Sequence, residues 1–355
     1  MLSLPPVPRA TILMMGLSCA AACTPQASST GDVADLRPHF GEGEEDYYLA
    51  DPLAGHVHQP DARREFQWVE HPLGRIVQAT NNMGFREDGP TRTEKQQGFK
   101  RVLVTGDSHV DGVVYNEESF PNRLEAMWDT SARAPSVEVI NAGAGYYGPQ
   151  NYLGVLRRSI HLAPDAFIAT LYTGNDLLDA VRIEAENGRL AVPERKDDYY
   201  QDLWTVDGTH PGFTGQVINQ VKFFRSFPTF RDTAVAITLR TFAEMREVCR
   251  SHRIAFAVVL LPTALDVEPE RDGSRIAEVL EMMGMTWDDL RAGQAMVDQV
   301  EQGIAAMGIP IVDLRKVWSG PLDGPYYWRA DLHLNDRGHA AAARAIFPIL
   351  QELLR

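Results

Sequence analysis

Five short, nearly continuous apolar segments recur from residue 101 onward, and they constrain the fold more than any other feature of the chain. They read RVLVTGDS (101–108), VEVINAG (137–143), AFIATLYTG (166–174), IAFAVVLLPT (254–263) and IPIVDL (309–314). Rich in Val, Ile and Leu and bounded by Gly, Pro or Asp, they have the pattern of parallel strands covered on both faces. Between them, SFPNRLEAMW (119–128), PQNYLGVLRRSIHL (149–162), the stretch around Thr233–His252 and Trp287–Met307 show the i, i+3, i+4 apolar spacing of helices. An alanine-rich helix follows Asn335, a good N-cap residue. This alternation predicts an α/β protein with a doubly wound, five-stranded parallel sheet and helices on both faces. Its ligand site is then expected at the carboxyl ends of the strands.

What precedes the first strand has a different character. Arg9 is followed by ATILMMGLSCAAAC, an apolar run too short to span a bilayer and ending in small residues, the shape of a secretory signal peptide over residues 1–23. Ala20-Ala21-Ala22-Cys23 also resembles a bacterial lipoprotein box, with Ala20 where leucine is usual. A lipid on Cys23 would be the only membrane attachment expected. Cleavage at the A-x-A pattern would instead release a soluble protein, and either route puts the mature chain in the periplasm or cell envelope. Residues 24–98 read as a polar tether and then an N-terminal extension of little periodicity, wrapping a main domain at 99–355. An irregular insertion, expected at about 182–231, is long enough to read either as a lid or binding loop or as a solvated excursion packed on the surface. With the leader removed, Cys249 has no partner but Cys23, so it reads as an inert core thiol. The formal charge of −14 argues against broad nucleic-acid or anionic-lipid binding.

Gly143, Gly145 and Gly148 spell G-x-G-x-x-G, a spacing associated with dinucleotide-binding turns. That fingerprint belongs to the first βα turn and wants an acidic residue at the end of the next strand. Here the glycines follow the second strand, the next strand ends in Thr173-Gly174-Asn175, and two tyrosines crowd the last gap. The loop therefore fits some other chemistry.

The other strand ends suggest which. The first closes in Gly106-Asp107-Ser108-His109, where a serine at a strand-to-helix turn can present its hydroxyl over the sheet edge. Val110 stands where the G-x-S-x-G elbow of an α/β-hydrolase needs its second glycine. The third ends in Asn175, a side-chain amide donor. After the last strand come Asp331 and His333, spaced so that the carboxylate can hold the imidazole in one tautomer and leave the other nitrogen as a base.

Taken together, VLVTGDSHVDG, VINAGAGYYG, LYTGND and ADLHLNDRGH resemble, in order, the four blocks of the SGNH (GDSL-type) hydrolases, and NNMGFRED resembles a segment found before the GDS block in secreted members. The resemblance implies a flavodoxin-like sheet, with Ser108 as nucleophile, His333 as general base and Asp331 as its orienting carboxylate. It also implies an oxyanion hole from the Ser108 N–H, a glycine-loop N–H and the Asn175 amide. Gly145 is the first candidate for the loop donor and Tyr146, standing where many members carry glycine, the second. Many members place Asp three residues before His, a position held here by Ala330. The D-x-H spacing instead resembles a branch that includes alginate-type O-acetyltransferases.

The function expected is thus a serine esterase acting on acetyl or short acyl esters of a small molecule or carbohydrate, without metal or organic cofactor. The alternatives are transfer of the acyl group to a sugar hydroxyl by the same residues, and a non-catalytic envelope protein binding through the old site. His109 reads as a packing or capping residue as readily as a substrate contact, and His339 as facing its own domain. His161 and His252 lie near helix C-termini, where partial positive charge is favourable. Tyr326, Tyr327 and Trp328 either line the site or simply pack.

Overall fold

In the strand Phe99–Thr105 (β5), Val102 and Val104 face one hydrophobic cluster while Leu103 faces another, and all three are buried. The same two-residue alternation divides Ala166–Tyr172 (β7) and Ala255–Leu261 (β8) between the two clusters. Side chains of a strand alternate in direction, so a strand apolar at every position needs a layer on each face. Helices Phe120–Thr130 (α2) and Asp336–Leu353 (α12) supply one layer; Pro149–Ser159 (α3), Phe230–His252 (α7) and Trp287–Ala306 (α10) supply the other. With Ser136–Asn141 (β6) and Ile311–Asp313 (β9), the strands form a parallel sheet in the order β6-β5-β7-β8-β9. The predicted five-stranded, doubly wound architecture is the one observed. Its order reverses between β5 and β7, the crevice where such sheets bind ligands. This computed structural model describes residues 47–355 apart from 132–134, 196, 270 and 272. The leader, the lipoprotein box at Cys23 and the start of the tether lie outside the described residues.

Two stretches depart from their sequence reading. The extension, expected to lack regular structure, forms two antiparallel hairpins. Tyr48–Asp51 (β1) pairs with Gly55–His58 (β2), and Arg63–Gln67 (β3) pairs with Arg75–Ala79 (β4). Their polar composition hid them, because each buries only a few apolar side chains, Tyr47, Tyr48 and Ala54 at the first and Trp68 and Ile76 at the second, and is otherwise held by bonds to loops of the sheet domain. The insertion, expected to be irregular, is mostly helical. Asp176–Glu186 (α4) runs into it, followed by Asp197–Thr209 (α5), a π-helical turn at Thr214–Ile218 and Asn219–Ser226 (α6). Tyr199, Leu203 and Val206 share the buried face of α5. Their four- and three-residue spacing was masked by the intervening aspartates and aromatics.

Candidate active site

The turn after β5 presents Ser108. Asp107 caps the single-turn helix Ser108–Asp111 (α1), its carboxylate accepting the His109 N–H at 3.0 Å, and Ser108 is the first helical residue, half-buried. A helix this short has little dipole, so any anion stabilisation at this turn would come from the serine's own N–H. Burial lifts the Asp107 carboxyl to about 7, against the pull of the His109 N–H and of His333. Behind α1, the fully buried Arg86 donates to Asp111 Oδ1 at 2.7 Å and to the carbonyls of Asp111, Gly112 and Val114. Burial opposes ionisation of Asp111, but His58, Arg86 and Arg64 outweigh it and hold the carboxyl well below its ordinary value.

The loop before α12 brings Asp331 and His333 to the same turn. Leu332 between them takes a left-handed conformation (φ 61°), and Asp331 Oδ1 accepts the His333 N–H at 3.1 Å. Its other oxygen, Oδ2, accepts the proton on Nδ1 at 2.7 Å, so Nε2 carries the lone pair. Ser108 Oγ lies 2.8 Å from that nitrogen. Burial pulls the His333 pKa down, but the charge and hydrogen bond of Asp331 more than offset it, helped by Asp107 and Asp111, and the net shift is upward. A buried imidazole with a bare nitrogen against a hydroxyl can take that hydroxyl's proton.

The second and third strand ends approach the same place. Asn175 Nδ2 donates to the Gly215 carbonyl at 3.4 Å, immediately before Gln216, which touches His333. In the glycine loop, the Gly143 and Ala144 amides are committed to Asn141 Oδ1 and the Gly106 carbonyl, which removes both as anion donors. Gly143 packs so tightly on α1 that a Cβ there would come within 2.6 Å of the Asp111 nitrogen, so its role is close approach. Tyr146 takes φ 63°, the left-handed conformation that glycine adopts without cost.

Residues 227–354 match the family described as an SGNH hydrolase-like domain, acetyltransferase AlgX. The match covers the C-terminal part of the chain and is a likeness of that part to the family. The matched span includes Asp331 and His333 and lies wholly after Ser108 and Asn175. No curated protein matches the chain by sequence. Among solved structures, the acetyl xylan esterase AlAXEase aligns at 13% identity over 70% of this chain and 99% of its own, with a TM-score of 0.41. TesA aligns at 12% identity over 72% of this chain and 99% of its own, with a TM-score of 0.43. A catalytic mutant of Axe2, an acetylxylan esterase from Geobacillus stearothermophilus, aligns at 13% over 72% and 94%, with a TM-score of 0.39.

Around the sheet core, the structure adds residues that the motifs did not point to. Glu70, in the β3–β4 loop, accepts the Arg329 and Ala330 N–H groups at 2.7 and 2.6 Å, just ahead of Asp331. His56, in β2, donates from Nε2 to the Gly145 carbonyl at 2.8 Å; burial lowers its pKa to about 4 and keeps it neutral. Gly212 of the insertion (φ 87°) lies so close that a Cβ would meet Asp331 backbone atoms at 2.5–2.7 Å. None of these carries a local sequence signal, because each acts through contacts far along the chain.

The remaining candidates have structural surroundings. His109 is buried and its ring lies 3.9 Å from that of Tyr172. His339 Nδ1 accepts the Phe120 N–H at 3.1 Å, and burial lowers its pKa to about 3. His161 and His252 bond carbonyls one turn back, those of Arg158 and Val248. Tyr326, Tyr327 and Trp328 are all buried: the Tyr327 hydroxyl donates to the Pro262 carbonyl and the Trp328 indole to that of Val113, so these aromatics pack beneath the loop. Cys249 is a buried free thiol that burial pushes up to about 12.

Proposed function

We propose that this protein is a serine ester hydrolase acting on acetyl or short acyl esters, with carbohydrate esters as the substrate class, and that it works outside the cytoplasm. One observation carries the reading: the continuous hydrogen-bonded series from Asp331 through His333 to Ser108, at 2.7 and 2.8 Å. His333 Nε2 takes the Ser108 proton as Oγ attacks the ester carbonyl. The Ser108 N–H, the Asn175 amide and the N–H of Gly145 or Tyr146 hold the developing oxyanion. Collapse releases the alcohol with the proton from Nε2, and water then frees the acyl-serine by the same route. The signal-peptide pattern of residues 1–23 motivates the extracytoplasmic location.

A second reading, transfer of the acyl group to a sugar hydroxyl, is favoured by the acetyltransferase description of the matching family and by the insertion packed against Asp331 and His333. A panel of p-nitrophenyl acyl esters tested on wild type and Ser108→Ala decides the catalytic assignment. Turnover by wild type with none by the variant is expected, and equal rates would sink it. Acetate release measured with and without a sugar acceptor separates hydrolysis from transfer, since release independent of acceptor is hydrolysis.

A further inference from the structure

The π-helical turn of the insertion places Gln216, almost wholly buried, between two histidines. Its Oε1 lies 2.9 Å from His109 Nε2, and its Nε2 lies 3.2 Å from His333 Nε2. The protons of this cluster are determined by its ends. Leu334 N–H donates to His109 Nδ1, so His109 carries its proton on Nε2 and gives it to Gln216 Oε1. Asp331 takes the His333 Nδ1 proton, so His333 Nε2 is bare and accepts. Turning the amide over would set donor against donor at His109 and acceptor against acceptor at His333. The amide nitrogen is therefore locked facing the catalytic lone pair. Burial lowers the His109 pKa well below its ordinary value, which favours the neutral ring that this orientation needs.

From this geometry, and resting on the esterase or transferase reading above, we propose that Gln216 positions the hydroxyl that attacks the acyl-enzyme. Once Ser108 Oγ bears the acyl group it has no proton to give His333. The lone pair then faces an incoming water or alcohol, and an oxygen hydrogen-bonded to Nε2 falls within reach of the Gln216 amide nitrogen. A Gln216 N–H donates to that oxygen while the hydroxyl proton passes to His333 Nε2 and the oxygen bonds the acyl carbon. The tetrahedral intermediate then breaks its bond to Ser108 Oγ, which recovers the proton from Nε2. The acid or new ester leaves, and the serine is free. Acylation has less need of Gln216, because its nucleophile is covalently held in place. Gln216 thus acts on the second half-reaction, the one in which hydrolysis and transfer differ.

The test measures the acylated fraction of Ser108 by peptide mass spectrometry during steady-state turnover of p-nitrophenyl acetate, together with the pre-steady-state burst, at a pH above the His333 limb. Gln216→Met removes both hydrogen bonds at nearly the same side-chain length, and Gln216→Leu removes them with a shorter one, neither adding a charge beside His333. Both variants are expected to acylate within about threefold of wild type and to deacylate about tenfold more slowly, the effect of losing one neutral hydrogen bond in the transition state. The acyl-Ser108 fraction then rises, and the ratio of methanolysis to hydrolysis shifts when methanol is added. A residue that merely held His333 in place would slow both halves together, since His333 serves both. An unchanged acyl fraction in variants with native melting curves therefore overturns the assignment alone. A wild type that forms no acyl-Ser108 overturns the ester reading and the assignment with it.

Discussion

Replacing Asp331 with asparagine removes one acceptor from a residue that uses two. Oδ1 accepts the His333 backbone N–H at 3.1 Å and Oδ2 accepts its Nδ1 proton at 2.7 Å, and the side chain is all but fully buried, so water cannot substitute. Asparagine has a single oxygen. If that oxygen stays on the backbone N–H, the amide NH₂ faces Nδ1, the ring proton moves to Nε2, and the lone pair that takes the Ser108 proton is gone. A triad in the wrong tautomer loses about 10⁴ in kcat, close to 5.5 kcal/mol of transition-state stabilisation. If the oxygen turns to Nδ1 instead, a buried donor meets a donor, which costs about 1–3 kcal/mol of stability while sparing activity. Activity and melting temperature measured together tell the two apart, and the first outcome is expected because the backbone N–H is held rigidly in the turn at Leu332. The pH profile supplies a second reading. His333 must be neutral to act, so kcat/KM is full above its pKa and falls as pH drops through it; in wild type this limb lies above the ordinary histidine value of 6.5. With the Asp331 charge gone, burial dominates and the residual activity has its acid limb at lower pH. Kinetics with p-nitrophenyl acetate from about pH 5 to about pH 9 cover both limbs. A variant retaining more than about a tenth of wild-type kcat/KM with an unchanged melting temperature would falsify the orienting role.

Other perturbations follow from the packing. Arg86→Met leaves Asp111 charged and buried without its main partner, and should cost about 3–5 kcal/mol in urea unfolding; a loss under about 1 kcal/mol contradicts the buried-pair reading. At φ 63° a Cβ is strained, so Tyr146→Gly should be about 1 kcal/mol more stable than Tyr146→Ala, and the reverse order refutes the left-handed assignment. Glu70→Ala should raise amide exchange at Arg329 and Ala330 and cost about 1 kcal/mol, since both bonds are to an exposed carboxylate; unchanged protection there counts against the clamp. Cys249 should resist alkylation until the chain unfolds, and labelling of native protein disproves its burial.

How much of this was legible in the sequence depended on how local each determinant is. The strands announce themselves because β-branched runs such as AFIATLY are apolar at every position, and the helices because their faces keep a 3.6-residue period. Ser108, Asn175, Asp331 and His333 stood out because the doubly wound topology sends every strand end to one edge. The hairpins were invisible for the opposite reason. RREFQ in β3 alternates between exposed and half-buried positions, and its second residue, Arg64, reaches toward Asp111 rather than filling a core. Gln216 gave no signal at all. It sits in a polar segment, on a π-helical turn that no periodicity describes, and its role appears only when His109 and His333 lie on either side of it.

The hairpins and the insertion meet a need that the sheet cannot. A strand end sets where a backbone emerges, whereas proton transfer needs side chains held to about half an ångström. Two of the three parts of the site lie on irregular backbone, the glycine loop and the D-x-H turn, and each is gripped from outside the βαβ core. The first hairpin holds the Gly145 carbonyl through His56, the second holds the amides before Asp331 through Glu70, and Arg86 ties the segment between the second hairpin and β5 to the turn behind Ser108. The insertion closes the remaining side, with Gly212 against Asp331 and Gln216 on His333. Rigidity is thus imported to the loops by segments far away in sequence. Under the proposed mechanism the insertion lies nearest Nε2 once the serine is acylated, so the choice between water and a sugar hydroxyl would rest on Gln216 and its neighbours more than on Asp331, His333 and Ser108.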